Sequence, residues 1–184
     1  MLIINIFGGP GSGKSTTAAG VFSLLKLHGV NAELVTEFAK DLTWEQRYKT
    51  LENQYYIWAK QYHRMWRLRD NVDVVITDSP LILSLMYGEI CDTHRQTVLN
   101  TFRNTFENMN YILERVKEYN SKGRNQTEEE AREIDGGVQY MLDMENVPYK
   151  VVTGDYSGIN NITSSILDRC GKEHIYGVGF KWGQ

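Results

Sequence analysis

The stretch Leu2-Ile-Ile-Asn-Ile-Phe7-Gly-Gly-Pro-Gly-Ser-Gly-Lys-Ser15 decides the fold of this chain of 184 residues. Its first part is short, largely apolar and rich in isoleucine, which is typical of a buried parallel strand. The part from Gly8 to Ser15 satisfies the pattern G-x-x-x-x-G-K-[ST], and a helix is predicted from Lys14 to His28. A strand before this pattern and a helix after it form the context that a phosphate-binding loop requires.

The chemistry of this loop predicts ATP and Mg²⁺ as ligands. Glycines let backbone amides approach a phosphate closely, and the helix N-terminus adds a partial positive charge. Lys14 is expected to neutralise the β- and γ-phosphates, Ser15 to ligate Mg²⁺, and Thr16 to offer a second hydroxyl near the α-phosphate. A turn that only reverses the chain is the alternative. The predicted nucleotide-binding residues are Gly9, Gly11, Ser12, Gly13, Lys14, Ser15 and Thr16.

Apolar segments along the rest of the chain alternate with helical segments. Further strands are predicted at 32–36, 72–77, 111–114 and 149–153. Helices are predicted at 14–28, 43–70, within 81–107, and at 127–145 and 159–169. This alternation predicts an α/β fold, in which right-handed crossovers build a five-stranded parallel sheet covered on both faces. Ligands then bind at the carboxyl ends of the strands.

Two capping boxes are predicted at helix starts. Thr43 with Gln46 is expected to open the long helix, and Thr127 with Glu130 to open the later one. An apolar stripe along the long helix is predicted to pack on the sheet, with Tyr55 or Trp58 as alternatives for lining an acceptor pocket. The stripe consists of Trp44, Tyr48, Leu51, Tyr55, Trp58, Tyr62 and Met65.

Two carboxylates follow predicted strands at this same edge of the sheet. Asp78 ends the third strand and is predicted to hold Mg²⁺, a role that is compatible with capping the next helix. Glu37 ends the second strand and is predicted to act as the general base toward an attacking hydroxyl. A solvated glutamate is the plain alternative for Glu37, and Asp41 is a weaker second candidate for the base.

A cationic segment follows the fourth predicted strand. It carries four Lys or Arg residues within 115–124, and a lid is predicted over about 115–127. Cations that arrive only on closure stabilise the transition state of phosphoryl transfer more than the ground state. Arg115 and Arg124 are the preferred pair, and a solvated polar loop is the alternative. The tail at about 172–184 has no clear assignment.

Composition narrows the class of protein. The net charge of −3 does not favour tight non-specific binding of nucleic acid. Cys91 and Cys170 suggest neither a disulfide framework nor a zinc site. Apolar stretches are shorter than a spanning helix needs, so one cytoplasmic domain over 1–184 without membrane contact is expected, and the oligomeric state is left open.

The motifs that are absent favour one branch of P-loop proteins. The chain has no N-K-x-D sequence, which GTPases use near the guanine. The third predicted strand ends in Thr77-Asp-Ser79 rather than in the paired carboxylates of remodelling ATPases. A small-molecule kinase is therefore favoured.

Together these stretches resemble the bacteriophage AAA-type P-loop proteins that are grouped with nicotinamide riboside kinases. The resemblance spans about residues 1–170 and is carried by Gly8 to Ser15, Glu37 to Asp41, Gln54 to Gln61, Thr77 to Pro80, Arg115 to Gln126, Glu128 to Ala131 and Ile134-Asp135. It implies the three-layer P-loop NTPase fold of nucleoside and nucleotide kinases, with strand order 2-3-1-4-5, ATP, Mg²⁺ and a lid. Many kinases of this group carry an arginine after the third strand, where this chain has Ser79.

The expected function is ATP- and Mg²⁺-dependent transfer of the γ-phosphoryl group to a nucleoside- or nucleotide-like small molecule. Three alternatives stay open: a kinase that acts on a hydroxymethylated pyrimidine base in DNA, a non-catalytic nucleotide sensor, and a plain ATPase. Nucleic acid is thus a possible but not a favoured partner.

Overall fold

The computed structural model of the protein describes residues 1–88, 91–116 and 127–173. Its strands are β1 (Leu2–Phe7), β2 (Ala32–Val35), β3 (Val74–Thr77), β4 (Glu107–Glu114) and β5 (Lys150–Thr153). The α-helices of the described residues are α1 (Lys14–Leu27), α2 (Phe38–Trp44), α3 (Tyr48–Leu51), α4 (Gln54–Trp66), α5 (Asp92–Asn104), α6 (Glu128–Met144) and α7 (Tyr156–Cys170). A 3₁₀ helix, Leu81–Met86, lies between β3 and α5.

The five strands form one parallel sheet in the order β2-β3-β1-β4-β5. β1 lies at the centre, where Ile4 pairs with Ile76 of β3 on one side and with Met109 of β4 on the other. The predicted parallel sheet and its strand order are confirmed. Since the glycine-rich loop follows the central strand, it lies in the middle of the sheet's carboxyl edge.

The alternating side chains of β1 divide the core between the two faces of the sheet. Ile4 and Ile6 point to the face covered by α1 and α7. Ile3 and Phe7 point to the opposite face, which is covered by the 3₁₀ helix, α4, α5 and α6. All six residues of β1 are buried, as expected for a central parallel strand, and the architecture has three layers.

The helix predicted over 43–70 is wrong, because the structure divides this region into α2, α3 and α4. Thr43 lies inside α2, and its hydroxyl donates to the Ala39 carbonyl at 3.1 Å instead of capping a helix. Gln46 has a φ of 57°, a left-handed conformation that ends α2. The third helix begins after Asn53, whose side chain accepts a hydrogen bond from the Tyr56 amide at 3.1 Å.

The apolar stripe predicted along this region packs on the sheet only in its second half. Met65 is buried, and Trp58 and Tyr62 pack partly buried against the core. Trp44 and Tyr48 are 74% and 57% exposed, so their prediction as core residues is wrong. The apolar periodicity of the sequence continues across the two breaks between α2, α3 and α4. The apolar side chains nevertheless do not lie on one continuous helix face.

Other predicted boundaries shift by a few residues. The capping box at the start of α6 is confirmed, since Thr127 Oγ1 accepts from the Glu130 amide and Glu130 Oε2 accepts from the Thr127 amide. β4 begins at Glu107 rather than at Tyr111, because its polar start is bonded within the sheet. There Asn5 Nδ2 donates to Oδ1 of Asn108 at 2.8 Å and of Asn110 at 2.9 Å.

Some sequence-based predictions fall outside the described residues. These are Arg124, most of the predicted lid and the tail from residue 174 onward. Within the three described ranges, no helix has both the length and the apolar character needed to cross a membrane.

Candidate functional site

The loop between β1 and α1 forms a compact turn in which the Gly9 carbonyl is the shared hydrogen-bond acceptor. Gly8, Gly11 and Gly13 have φ values of 146°, 78° and 100°, a region that residues with side chains rarely adopt. The Gly9 carbonyl accepts hydrogen bonds from Lys14 Nζ at 2.9 Å and from the Ser12 amide at 3.3 Å. The loop therefore has the compact turn that its sequence pattern predicts.

The first turn of α1 is open to an anion. Among the described residues, no side chain caps the N-terminus of this helix, and its first turn has no acidic residue. The free amides of a helix N-terminus, together with its dipole, attract phosphate groups. Lys14 and Ser15, which begin α1, therefore lie where a phosphate tail would bind.

Asp78 and Ser15 meet at one corner of this loop. β3 lies beside β1 in the sheet, so the residue that follows β3 reaches the start of α1. Ser15 Oγ donates to Asp78 Oδ2 at 2.5 Å, and Asp78 is buried with 5% exposure. Asp78 Oδ1 has no hydrogen-bond partner among the described residues, nor has Ser12 Oγ.

Buried polar atoms without partners are rare in folded proteins and call for a ligand or water. A carboxylate oxygen and a serine hydroxyl are hard oxygen donors of the kind that Mg²⁺ prefers. Asp78 and Ser15 therefore fit a magnesium ion, and the unpartnered Ser12 hydroxyl fits a phosphate oxygen.

Glu37 lies at the end of β2, where it precedes the first residue of α2. Burial raises the pKa of its carboxyl group, the nearby Lys14 ammonium opposes this shift, and Asp78 adds to it. The charges of Glu37, Lys14 and Asp78 thus interact in the structure. This agrees with the expectation that residues after neighbouring strands lie at one edge of the sheet. Tyr87, which sequence reasoning missed, lies close enough to Glu37 that partial burial and, in addition, this charge raise the pKa of its hydroxyl group.

The turn that carries Glu37 is fixed by α4. Gln61 is buried, and its side chain accepts from the Phe38 amide at 2.9 Å and donates to the Thr36 carbonyl at 3.3 Å. Arg64 forms an ion pair with Asp41 and donates to the same Thr36 carbonyl at 3.1 Å. Asp41, the weaker candidate for the base, is thus engaged with Arg64, and the two residues help to place Glu37.

Lys14 is the cationic centre of the site. Burial lowers the pKa of its ammonium group, and Arg115 lowers it further. The carboxylates of Glu37, Asp78 and Asp135 oppose both effects and favour the charged form. The charged ammonium group of Lys14 can donate hydrogen bonds to a phosphate oxygen, whose negative charge it complements.

Arg115 follows β4 and is held against the back of the loop. Its guanidinium forms an ion pair with Asp135 and donates to the Pro10 carbonyl at 2.7 Å, and its side chain is 9% exposed. Arg124, its predicted partner in the lid, lies outside the described residues. The structure therefore places one of the two predicted cations beside the loop.

Asp135 was not assigned a role from the sequence. Its carboxylate accepts a hydrogen bond from the Gly9 amide and pairs with Arg115, although it lies on α6, far along the chain. One signal was present, since Asp135 lies on the helix face that carries the buried residues Ala131 and Val138. A carboxylate on a buried helix face needs a partner.

Two solved structures share the fold of this chain. One is a deoxyadenosine kinase from M. mycoides with bound dATP, which has a TM-score of 0.54 and 18% identity, with coverage of 92% of this chain and 100% of that chain. The other is NadR protein in complex with NR, with a TM-score of 0.60, 14% identity and coverage of 95% and 53%, so this chain spans about half of the NadR chain. No curated protein matches the sequence.

Similarity at these identities shows the fold alone, which is a five-stranded parallel sheet flanked by helices on both faces. The model of the AAA domain family matches residues 3–158, a range that contains the loop, both strand-end carboxylates and Asp135. This chain therefore belongs to the AAA domain family.

Proposed function

We propose that the protein is an ATP- and Mg²⁺-dependent kinase that transfers the γ-phosphoryl group to a nucleoside- or nucleotide-like small molecule. The observation that carries this proposal is the meeting of Lys14, Ser15, Asp78 and Glu37 at one corner of the sheet. The acceptor class is supported by the two structures that share the fold, one with bound dATP and the other in complex with NR.

The nucleotide is expected to bind through the amides of the loop, the Ser12 hydroxyl and the Lys14 ammonium. Ser15 and Asp78 would hold Mg²⁺, which neutralises phosphate charge and orients the transferred group when it is bound. Lys14 must leave the Gly9 carbonyl or share its protons with a phosphate oxygen, which its flexible stem permits.

Glu37 is proposed as the base for the acceptor. Its carboxylate accepts the proton of the acceptor hydroxyl while that oxygen forms a bond to the γ-phosphorus. The bond between the γ-phosphorus and the bridging oxygen breaks, and ADP leaves with its electron pair. The raised pKa of Glu37 makes its carboxylate a better proton acceptor than an ordinary glutamate.

Arg115 and Arg124 are proposed as the cations of the lid that stabilise charge on the transferred group. In this structure the Arg115 guanidinium donates hydrogen bonds to Asp135 and to the Pro10 carbonyl. These hydrogen bonds must break before Arg115 can contact the phosphoryl group. A cation that engages only during the reaction lowers the barrier more than one that is bound throughout.

The test is a screen of acceptors with Mg-ATP, in which mass spectrometry detects the addition of one phosphoryl group. Nucleosides, nucleotides and nicotinamide riboside form the panel. The Lys14→Ala variant should make no product, whereas Lys26→Ala, an exposed lysine later in the same helix, should match the wild type. Formation of ADP without acceptor would indicate a plain ATPase, and tight binding without turnover a sensor.

One observation favours a second candidate, a kinase acting on a hydroxymethylated pyrimidine base in DNA. Trp44 and Tyr48 are exposed on α2 and α3, the helices that follow Glu37, and exposed aromatic rings can stack on bases. The net charge of −3 does not support it. A single-stranded oligonucleotide with the modified base belongs in the screen, and its phosphorylation would decide for this candidate.

A further inference from the structure

Asp135 and Arg115 connect the phosphate loop to two other elements, α6 and the end of β4. The Asp135 carboxylate accepts one hydrogen bond from the Gly9 amide and another from Arg115 Nε. Arg115 Nη2 donates in turn to the Pro10 carbonyl at 2.7 Å and to the Ala131 carbonyl at 3.2 Å. Two successive residues of the loop are therefore held by one ion pair.

The fit of this ion pair against the loop leaves no room for a side chain at Gly9. A Cβ at this position would lie 2.6 Å from the Ala131 carbonyl oxygen, 2.9 Å from Asp135 Oδ1 and 3.1 Å from Arg115 Nη2. The first atom belongs to a helix backbone and the other two to paired side chains, so none moves easily. Gly9 is therefore needed for close approach of α6 to the loop.

The held segment carries the hydrogen-bond acceptor of Lys14. The Gly9 carbonyl accepts from Lys14 Nζ at 2.9 Å and from the Ser12 amide at 3.3 Å. The peptide that bears this carbonyl lies between the two peptides bonded to Asp135 and Arg115. A shift of the ion pair would therefore move the Gly9 carbonyl, which accepts the hydrogen bonds from Lys14 and from the Ser12 amide.

On the basis of the function proposed above, we propose that Asp135 is a positioning residue for nucleotide binding, which acts with Arg115 to hold Gly9 and Pro10. Asp135 itself bonds to the loop backbone and to Arg115. Its contribution is to fix the loop before the nucleotide arrives, so that less freedom is lost on binding.

Two variants of Asp135 test this proposal against a matched control. Asp135→Ala removes both hydrogen bonds, whereas Asp135→Asn keeps an oxygen that can accept from the Gly9 amide. The control is Glu133→Gln, because Glu133 is an exposed carboxylate on the same helix. A third variant, Arg115→Lys, tests the other half of the pair, since lysine cannot reproduce the fork of a guanidinium.

The first measurement is hydrogen exchange in the protein without ligand, which needs no activity. In Asp135→Ala, the backbone amides within residues 8–13 should exchange on the order of tenfold faster than in the wild type, because the Gly9 amide loses its hydrogen-bond acceptor. Asp135→Asn should lie between this variant and the wild type, and Glu133→Gln should match the wild type. Equal exchange in Asp135→Ala and the wild type would overturn the proposal.

The second measurement separates positioning from folding. Asp135→Ala should weaken ATP affinity and raise KM for ATP on the order of tenfold, with a smaller change in kcat per folded molecule. Arg115→Ala combined with Asp135→Ala should weaken ATP affinity little more than either change alone. A variant that only lost stability would keep the wild-type KM, and this result would contradict the proposal. If Asp135→Ala does not fold, Asp135→Asn provides the same comparison.

The outcomes for the two proposals differ. If the wild type binds ATP but phosphorylates no acceptor, the proposed kinase function fails while loop exchange and ATP affinity still decide the role of Asp135. If the wild type does not bind Mg-ATP, both proposals are wrong.

Discussion

Asp78 is a buried carboxylate with one oxygen bonded to Ser15 and the other without a partner in the described part of the chain. Removing its charge should cost about 10²-fold in kcat, because a metal held by one hydroxyl and an amide loses its main anionic ligand. The measurement is kcat against Mg²⁺ concentration for Asp78→Asn. The control is Asp70→Asn, an exposed residue with a φ of 65° that asparagine also tolerates. An unchanged dependence on Mg²⁺ in Asp78→Asn would contradict the role of Asp78.

Glu37 makes the activity depend on pH in a defined direction. Burial raises the pKa of this carboxyl group, and a base acts only when it is ionised, so kcat/KM should fall as the pH drops through the raised value. This acid limb should lie above the range of an ordinary glutamate. Glu37→Gln should lose about 10²-fold in activity and lose the limb as well. A limb that persists in Glu37→Gln would assign the titration to another group.

The residues of the site differ in how far the sequence reveals them. Lys14 and Ser15 are found because a local motif fixes their place, and Asp78 and Glu37 because parallel strands end at one edge. The contact of Asp135 with Gly9 joins two distant segments, so no local pattern predicts it. The geometry at the loop depends on packing between α6 and the sheet, which only the fold determines.

At the scale of elements, two glycines in helices should respond to alanine in opposite ways. Gly136 is exposed in α6 with nothing within 4 Å of an added Cβ, so Gly136→Ala should stabilise by about 0.5–1 kcal/mol. At Gly158 in α7, a Cβ would lie 1.8 Å from the Thr153 carbonyl oxygen. Gly158→Ala should therefore destabilise by more than about 2 kcal/mol. Urea unfolding followed by circular dichroism measures both, and shifts of the same sign would contradict this packing.

The elements that the sequence misplaced share one physical reason. The helix predicted over 43–70 keeps its apolar period across Gln46 and Asn53, where no glycine or proline marks the breaks. The start of β4 is polar, and its pairing with β1 together with the hydrogen bonds from Asn5 places it in the sheet. In both regions tertiary contacts override a local pattern, whereas β1 and α6 carry strong local signals and were placed well.

At the scale of the whole molecule, the candidate site exists only in the folded chain. Its residues come from β1, β2, β3 and their following loops, and the ion pair at the loop adds β4 and α6. A ligand of this site therefore binds the native state and not the unfolded chain. Such a ligand stabilises the native state by mass action, at about 2.7 kcal/mol when its free concentration is 100 times Kd.

This coupling predicts the size of a thermal shift. For a chain of 184 residues, about 2.7 kcal/mol corresponds to a rise in Tm of about 5–10 °C. Mg-ATP should produce this shift in the wild type and in Lys26→Ala, as measured by calorimetry. Lys14→Ala should fold but show little shift, because it keeps the sheet and loses the ammonium at the loop. A full shift in Lys14→Ala would place the nucleotide somewhere other than the loop that follows β1, since no other part of that loop replaces this charge.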